Sequence, residues 1–418
     1  MLEAMESKTA GRISNENNEP KWLVEKRLSA YELFKKKPMP NFIYGLNINL
    51  NIDLNLDNVG TANLGKPGRE IINKNTQTNT RTKSSIHSVD SGTNSAGNGI
   101  KIFELNDALK NNENLLKEKF MTKCVPAVNK FTAFHNAFVN NVLLVYVPKN
   151  TETKEPVEII TKVNSKVFFD HLLIIADDNS KLAIVEDVKS ESNDEAYASR
   201  IVEIFAGNNA RVDYGNLQML NEKTFNFTIK RADLGKDALV NWLDCNFGSN
   251  VTLSEVTANL NGEGAATNNY GIFFGNEQQQ FDLVANSIHN APNTVSDIFT
   301  KGALTEKAKC IYRGLVKIQR NARGSNGYQK EDTLLLSPDA AADSIPDLEI
   351  DNSDVRCTHG ASIGRIDGEK LFYLKSRGLN EKEATQVYVK GFFEELIQKM
   401  KIEKLRDNMH DLIDKRMK

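Results

Sequence analysis

The sequence predicts a mainly β protein, with a strand-rich core over about residues 139–366 held between an N-terminal and a C-terminal helical segment. Three observations predict it. First, after Asn140 the chain runs through VLLVYVP (142–148), FFDHLLIIAD (168–177), KLAIVEDV (181–188), NARVDYGNLQML (209–220), FNFTIKRA (225–232), ALVNWLDCNF (238–247) and VTLSEVTANL (251–260). Each run is short, rich in β-branched and aromatic residues, and bounded by Asn, Asp, Gly or Lys. Second, no helix-length amphipathic pattern interrupts them before Ile366, which excludes a doubly wound βα fold. Third, proline and capping signals for helices cluster at the two ends of the chain. Sandwich, barrel and β-helix all fit this pattern. Dense Asn and Gly at the strand breaks, and the number of strands, favour a β-helix, although no exact internal repeat is present.

In chain order, Pro20 opens a helix that Pro38 must close, with Leu23, Val24, Leu28, Tyr31 and Phe34 at helical spacing. The PMP of 38–40 forces an extended exit. Residues 55–100, rich in Asn, Thr, Ser and Gly, predict a flexible loop, because so little apolar area cannot offset the ordering entropy. Helical pattern resumes over 103–123 and 128–138, completing an N-terminal region of 1–138. Beyond the core, Asp367 is an N-cap for a helix through Leu371–Arg377, and Gly378 sits at its C′ position. Asn380 and Glu383 form a capping box for a last helix. Its stripe of Ala384, Val387, Gly391, Leu396, Met400, Leu405, Met409 and Leu412 predicts one continuous apolar face within 367–418.

Composition narrows the function. A formal net charge of −2 offers no global attraction to nucleic acid or an anionic membrane. No apolar run is long enough to cross a membrane. MLEAMESKTAGRISNENNEPKW carries no apolar signal region, so a cytoplasmic protein with reduced thiols is expected. The four cysteines, Cys124, Cys245, Cys310 and Cys357, are far apart and form no CxxC, so no zinc ribbon or four-thiolate site follows from spacing. The first three are expected as buried small apolar residues. GTNSAGNGIK (92–101) lacks the GK[ST] ending of a phosphate loop, and neither GxSxG nor HExxH occurs. No ATP binding or hydrolysis through a phosphate loop is expected of the chain alone. His171, in an apolar run, and His289 are expected to be structural, and Asp177 and Asp178 belong to a turn.

The one pairing with ligand chemistry is Cys357 and His359, in VRCTHGAS (355–362). Residues i and i+2 of a strand face one side, so both project together. A thiolate and a neutral imidazole both suit iron. Two ligands do not complete a site, so a partner must supply the rest. Gly360 lets another backbone approach.

Four blocks carry a resemblance. EPKWLVEKRLSAYELFKKKPMP (19–40), NKFTAFHNAFVNNVLLVYVPK (129–149), DHLLIIADDNSKLAIVED (170–187) and the stretch from Thr333 to Phe393 resemble the SufB/SufD family of iron–sulfur cluster scaffolds. Thr358 and Gly360, flanking His359 where SufB-type chains carry acidic residues, look like the SufD branch. NARGSNGYQKEDT (321–333) departs from the family pattern. The resemblance implies a right-handed parallel β-helix and a non-catalytic subunit. It implies pairing with a SufB-like subunit through the β-core and docking of a SufC ATPase through the C-terminal helices. ATP-driven SufC dimerisation would strain the SufB–SufD interface and open the assembly site. By the same resemblance, His359 and Cys357 are candidate ligands of a transient cluster shared with the partner; Cys357 is either a second ligand or a partly buried neighbour. Leu371, Phe372, Tyr373, Arg377 and Gly378 are the candidate docking face. A flavin is implied for the assembled complex, without a motif here. Two alternatives stand beside this reading: a SufB-like homodimeric scaffold and a β-helical carbohydrate-active enzyme with paired carboxylates.

Overall fold

A computed structural model describes residues 11–38, 68–72 and 99–417. Among these, the core is a parallel β-solenoid flanked by helices. Strands alternate between two nine-stranded sheets. One runs β1(Gly68–Ile72), β4(Val157–Val163), β6(Lys181–Ser190), β8(Arg211–Met219), β10(Leu239–Asn246), β12(Ala266–Gly275), β14(Val295–Leu304), β16(Asn326–Leu335), β18(Arg356–Arg365). The other runs β2(Lys101–Glu104), β3(Asn141–Val147), β5(Val167–Ala176), β7(Ala196–Ala206), β9(Thr224–Leu234), β11(Val251–Leu260), β13(Gln280–His289), β15(Lys309–Ile318), β17(Ala341–Ile350). From β3 onward all pairings are parallel, each strand bonding the one a full turn earlier and later. The sequence reading missed the strands over 157–163 and 196–206, where charged residues break up the apolar runs.

The turn chemistry explains why the chain can wind this way. Asn150, Asn179, Asn209, Asp237 and Asn293 all have positive φ, and Gly264 and Gly324 occupy the matching corners of other turns. Asn, Asp and Gly enter this left-handed region at least cost. The side chains then stack. Asn179 Nδ2 donates to Asn150 Oδ1 at 3.0 Å, 29 residues earlier, and Asn209 Nδ2 donates to Asn179 Oδ1 at 3.0 Å, 30 residues earlier. The repeat that sequence comparison does not detect therefore exists as conformation, carried by one corner residue per turn.

Two strands fall where the sequence predicts otherwise. β1 lies inside the stretch 55–100 expected to be a flexible loop; the rest of that stretch up to residue 98 lies outside the described residues. β2 replaces the start of the helical pattern at 103. Both pair antiparallel with the first core strands, β1 with β4 and β2 with β3, and so cover edges that would otherwise be open. The N-terminal region is thus not purely helical.

Helices cover both outer faces. α1(Lys21–Lys36), α2(Leu105–Lys119) and α3(Lys130–Phe138) bury Leu23, Phe34, Leu116, Phe131 and Phe134 against Phe169, Tyr197, Phe225 and Phe227 of the odd-numbered strands. Lys130 Nζ donates to the Phe34 and Lys37 carbonyls, capping the end of α1 just before Pro38. On the opposite face, α5(Glu381–Ile397) and α6(Glu403–Arg416) bury Val389, Phe393, Leu396, Leu405 and Met409 against Leu217, Leu243, Ile272, Phe274 and Phe299. The single last helix expected from the apolar stripe is therefore two. The chain turns at Gln398–Ile402, and Met400 and Ile402 are buried in that turn. Both helices then lay their apolar sides on one flat sheet, which a single straight helix of that length would overrun.

With both outer faces covered, the lumen holds a second core. It is apolar at Val145, Ile174, Ile204, Val212, Val240 and Trp242. A charged network crosses it. Arg200 donates to Glu186 Oε1 at 2.7 Å and Asn216 Oδ1 at 3.2 Å, and lies 3.7 Å from Asp170 Oδ2. Arg69 pairs with Asp170, and Tyr214 donates to Glu186. Lys230 lies 2.9 Å from Asp244 Oδ1, which also accepts from Asn216; Ser254 and Asn246 donate to Oδ2. Burial works against the charge on Arg200, but Glu186 and Asp170 outweigh it and hold its pKa above the usual value.

His289 is structural, as expected. Its ring nitrogens lie 2.8 Å from Thr294 Oγ1 and 2.8 Å from Ser296 Oγ. Burial lowers its pKa to about 4. A histidine whose folded pKa lies below its unfolded value near 6.5 stabilises the fold above that value, and loses the contribution as pH falls towards 4. We expect about 3 kcal/mol to be lost over that window from this residue, at about 1.4 kcal/mol per pH unit. Urea midpoints at pH 7 and pH 4.5 measure it. His289→Gln should flatten the profile, and an unchanged slope refutes the assignment.

Candidate functional site

β17 and β18 end the solenoid. Each pairs on one side only among the described residues, β17 with β15 and β18 with β16. Two parallel edges without a further strand among the described residues therefore lie at the C-terminal mouth.

Cys357 and His359 lie on β18 and share the face that looks into the lumen. Register settles this: Gly327 pairs with Cys357, Gln329 with His359 and Glu331 with Ala361. Gln329 and Glu331 are buried inside the lumen. His359 is exposed and Cys357 half-buried at the lip. A Cβ on Gly327 would fall 3.2 Å from Cys357 Sγ, so the thiol packs down onto the rung below. Burial raises its pKa, which disfavours the thiolate until a metal or base compensates. Gly360 meets nothing within 4 Å at its Cβ position. Among the described residues no group of three or more His, Cys, Asp and Glu side chains is placed to hold a metal ion. Any ion bound by this pair needs further ligands from beyond the described residues.

Just beyond β18, α4(Gly368–Ser376) buries none of its residues. Asp367 caps it through Glu369 N–H, and Gly378, at φ 99°, ends it in the left-handed region. Phe372 is 73% exposed and Tyr373 56% exposed, while Leu371 and Leu374 are half-buried. The Arg377 guanidinium stacks 5.2 Å from the Tyr373 ring and donates to its hydroxyl at 3.2 Å. Phe372 and Tyr373 form an apolar outcrop that the other described residues do not cover.

The remaining sequence candidates lie elsewhere. His171 is fully buried, bonded to Glu203 at 3.1 Å, and Glu203 also accepts the backbone N–H groups of Met121, Lys123 and Cys124. This carboxylate pins the linker between α2 and α3 to the sheet. Asp177 accepts from Tyr146, and Asp178 from Asn208 N–H, both at a turn. Cys124, Cys245 and Cys310 are buried and free. Sequence reasoning missed the polar lumen entirely. Its only trace is a charged residue inside otherwise apolar strand runs, at Arg200, Lys230 and Asp244.

Comparison with known proteins agrees with the geometry. Residues 159–392 match the family described as SUF system FeS cluster assembly, SufBD core domain. An iron–sulfur cluster assembly SufBD family protein of Staphylococcus saprophyticus is 31% identical over 94% of this chain and 88% of its own length. Relatives with the same description in Staphylococcus aureus and Staphylococcus haemolyticus are each 30% identical, again over 94% of this chain and 88% of theirs. A mainly β solenoid between two helical segments, matched over most of its length by these proteins, belongs to the SufBD family of iron–sulfur cluster assembly proteins.

Proposed function

We propose that the chain is a SufD-type scaffold subunit, without catalysis of its own. It pairs with a SufB-type subunit through the last rung of the solenoid and docks a SufC-type ATPase through its C-terminal helices. His359 contributes a ligand to a cluster assembled between the two β-cores. The observation that carries this reading is the open mouth: two strand edges that no other described strand covers present an exposed imidazole and a half-buried thiol where a partner strand can add. The CTHG sequence (357–360) supports the SufD type. The cluster is cargo, held in passing by ligands from both subunits. ATP hydrolysis belongs to the docked ATPase and takes place in the cytoplasm. A flavin, if the complex carries one, has no assigned residue in this chain.

The test is co-expression with SufB-type and SufC-type subunits, followed by affinity purification through this chain. We expect both partners to be retained. Phe372→Asp should weaken SufC-type binding at least about 10-fold, the scale for losing a central aromatic anchor, while the SufB-type subunit stays bound. Undiminished affinity in the folded variant counts against α4 as the docking face. Recovery of the chain as a homodimer, with no SufB-type subunit, counts against the SufD assignment.

A further inference from the structure

The mouth of the solenoid has a floor on which several buried polar atoms lack a partner among the described residues, the Tyr312 hydroxyl and Glu331 Oε2 among them, and Gln329 is the floor residue that leaves two. Gln329 on β16 is 0% exposed, yet neither its Oε1 nor its Nε2 has a hydrogen-bond partner. A buried amide in that state costs about 1–3 kcal/mol per unmet group, so it is available to a donor on the next rung. The side chain reaches across the lumen. A Cβ on Gly314 of β15 would fall 2.1 Å from Gln329 Nε2, so any larger residue there would push the amide aside. The next rung up is the last one. Register places His359 over Gln329 and Pro346 over Gly314. Pro346 has no N–H to offer. His359 has two ring nitrogens, and inward side chains on paired strands sit about 5 Å apart.

We propose that Gln329 is a positioning residue for His359. Its amide oxygen accepts one ring N–H of the imidazole. That bond selects the neutral tautomer and leaves the other nitrogen's lone pair aimed out of the mouth, towards a metal. Metal-binding histidines are generally oriented in this way through the nitrogen that does not bind. The proposal rests on the reading of His359 as a cluster ligand. The other titratable groups facing the same space are Cys357 on β18, Glu331 on β16 and Tyr312 on β15. Glu331 does not serve His359 in the same way. It pairs in register with Ala361 rather than with His359, and only its Oε1 is engaged, by the Thr333 hydroxyl.

The experiment uses the full chain, labelled with ¹⁵N-histidine and free of iron, at mildly alkaline pH. Loss of one signal set in His359→Asn assigns the ring. We expect one tautomer to dominate by about 10-fold in the wild type. Gln329→Met, similar in size but without an acceptor, should bring the two tautomers close to parity, and Gln329→Glu, which keeps an acceptor, should restore the bias. If Gln329→Met does not fold, Gly314→Ala displaces the amide from the opposite wall and should give the same loss. In the reconstituted complex, Gln329→Met should lower cluster yield about 10-fold, with Gln329→Glu recovering most of it. A tautomer ratio untouched by Gln329→Met overturns the proposal, whatever His359 does. A shifted ratio with full cluster yield from both Gln329→Met and His359→Ala overturns the ligand reading instead, and leaves the hydrogen bond as a structural one.

Discussion

His359→Ala complexes should fold, keep both partner subunits and assemble at least roughly 10-fold less cluster than wild type, taking loss of a ligand to cost no less than loss of its supporting shell. The imidazole is exposed on the last strand of the solenoid and belongs to none of its apolar clusters. Removing it therefore subtracts coordination without opening a cavity. Cluster absorbance and iron content of the co-purified complex measure the loss. Cys357→Ser should act differently. Cys357 packs against the apolar cluster at the lumen's end, so some of its effect appears as lost stability. Its effect on cluster yield approaches that of His359→Ala only if the thiol turns outward in the complex. Complexes of His359→Ala that assemble cluster like wild type make His359 a surface histidine and remove the central claim of the proposed function. A variant that loses the SufB-type subunit makes His359 an interface residue instead.

Arg200→Leu should be the most damaging substitution in the core, costing about 3–5 kcal/mol. Arg200 is 1% exposed and is held by Glu186, Asp170 and Asn216. Removing it leaves Glu186 and Asp170 buried with less compensation than before. Arg69 still pairs with Asp170, but Glu186 retains only the Tyr214 hydroxyl. A buried carboxylate in that position is driven to take up a proton, so the variant should be least stable at high pH. Replacing Glu186 by Gln in the same chain should recover part of the loss, because it removes the stranded charge rather than the contact. Urea unfolding of the three proteins side by side decides it. A loss below about 1 kcal/mol for Arg200→Leu would mean that water reaches the lumen and solvates the carboxylates, and that the network is not a dry ion cluster.

Much of this architecture is local in origin and can be read along the chain. Pro20, Asp367, Asn380 and Gly378 mark helix ends because backbone donors, φ limits and capping side chains act within a few residues. The strand texture follows from β-branched and aromatic residues between turn formers. Cys357 and His359 share a face because strand geometry has a period of two, whatever the fold. The wrapping of the strands decided the rest. Period two gives parity but not which parity faces inward, and the usual guide, apolar inside and polar outside, fails when helices cover the outer faces and ions cross the lumen. Arg200, Lys230 and Asp244 thus read as solvent-side residues until the next turn of the solenoid closes over them. The last helix reads as one because a stripe records spacing, not the size of the sheet it must fit. Gln329 and His359 lie on different turns, and only the parallel register between β16 and β18 sets one above the other. A juxtaposition of that kind depends on how many residues each corner consumes, summed over a whole turn, which no single stretch of sequence contains.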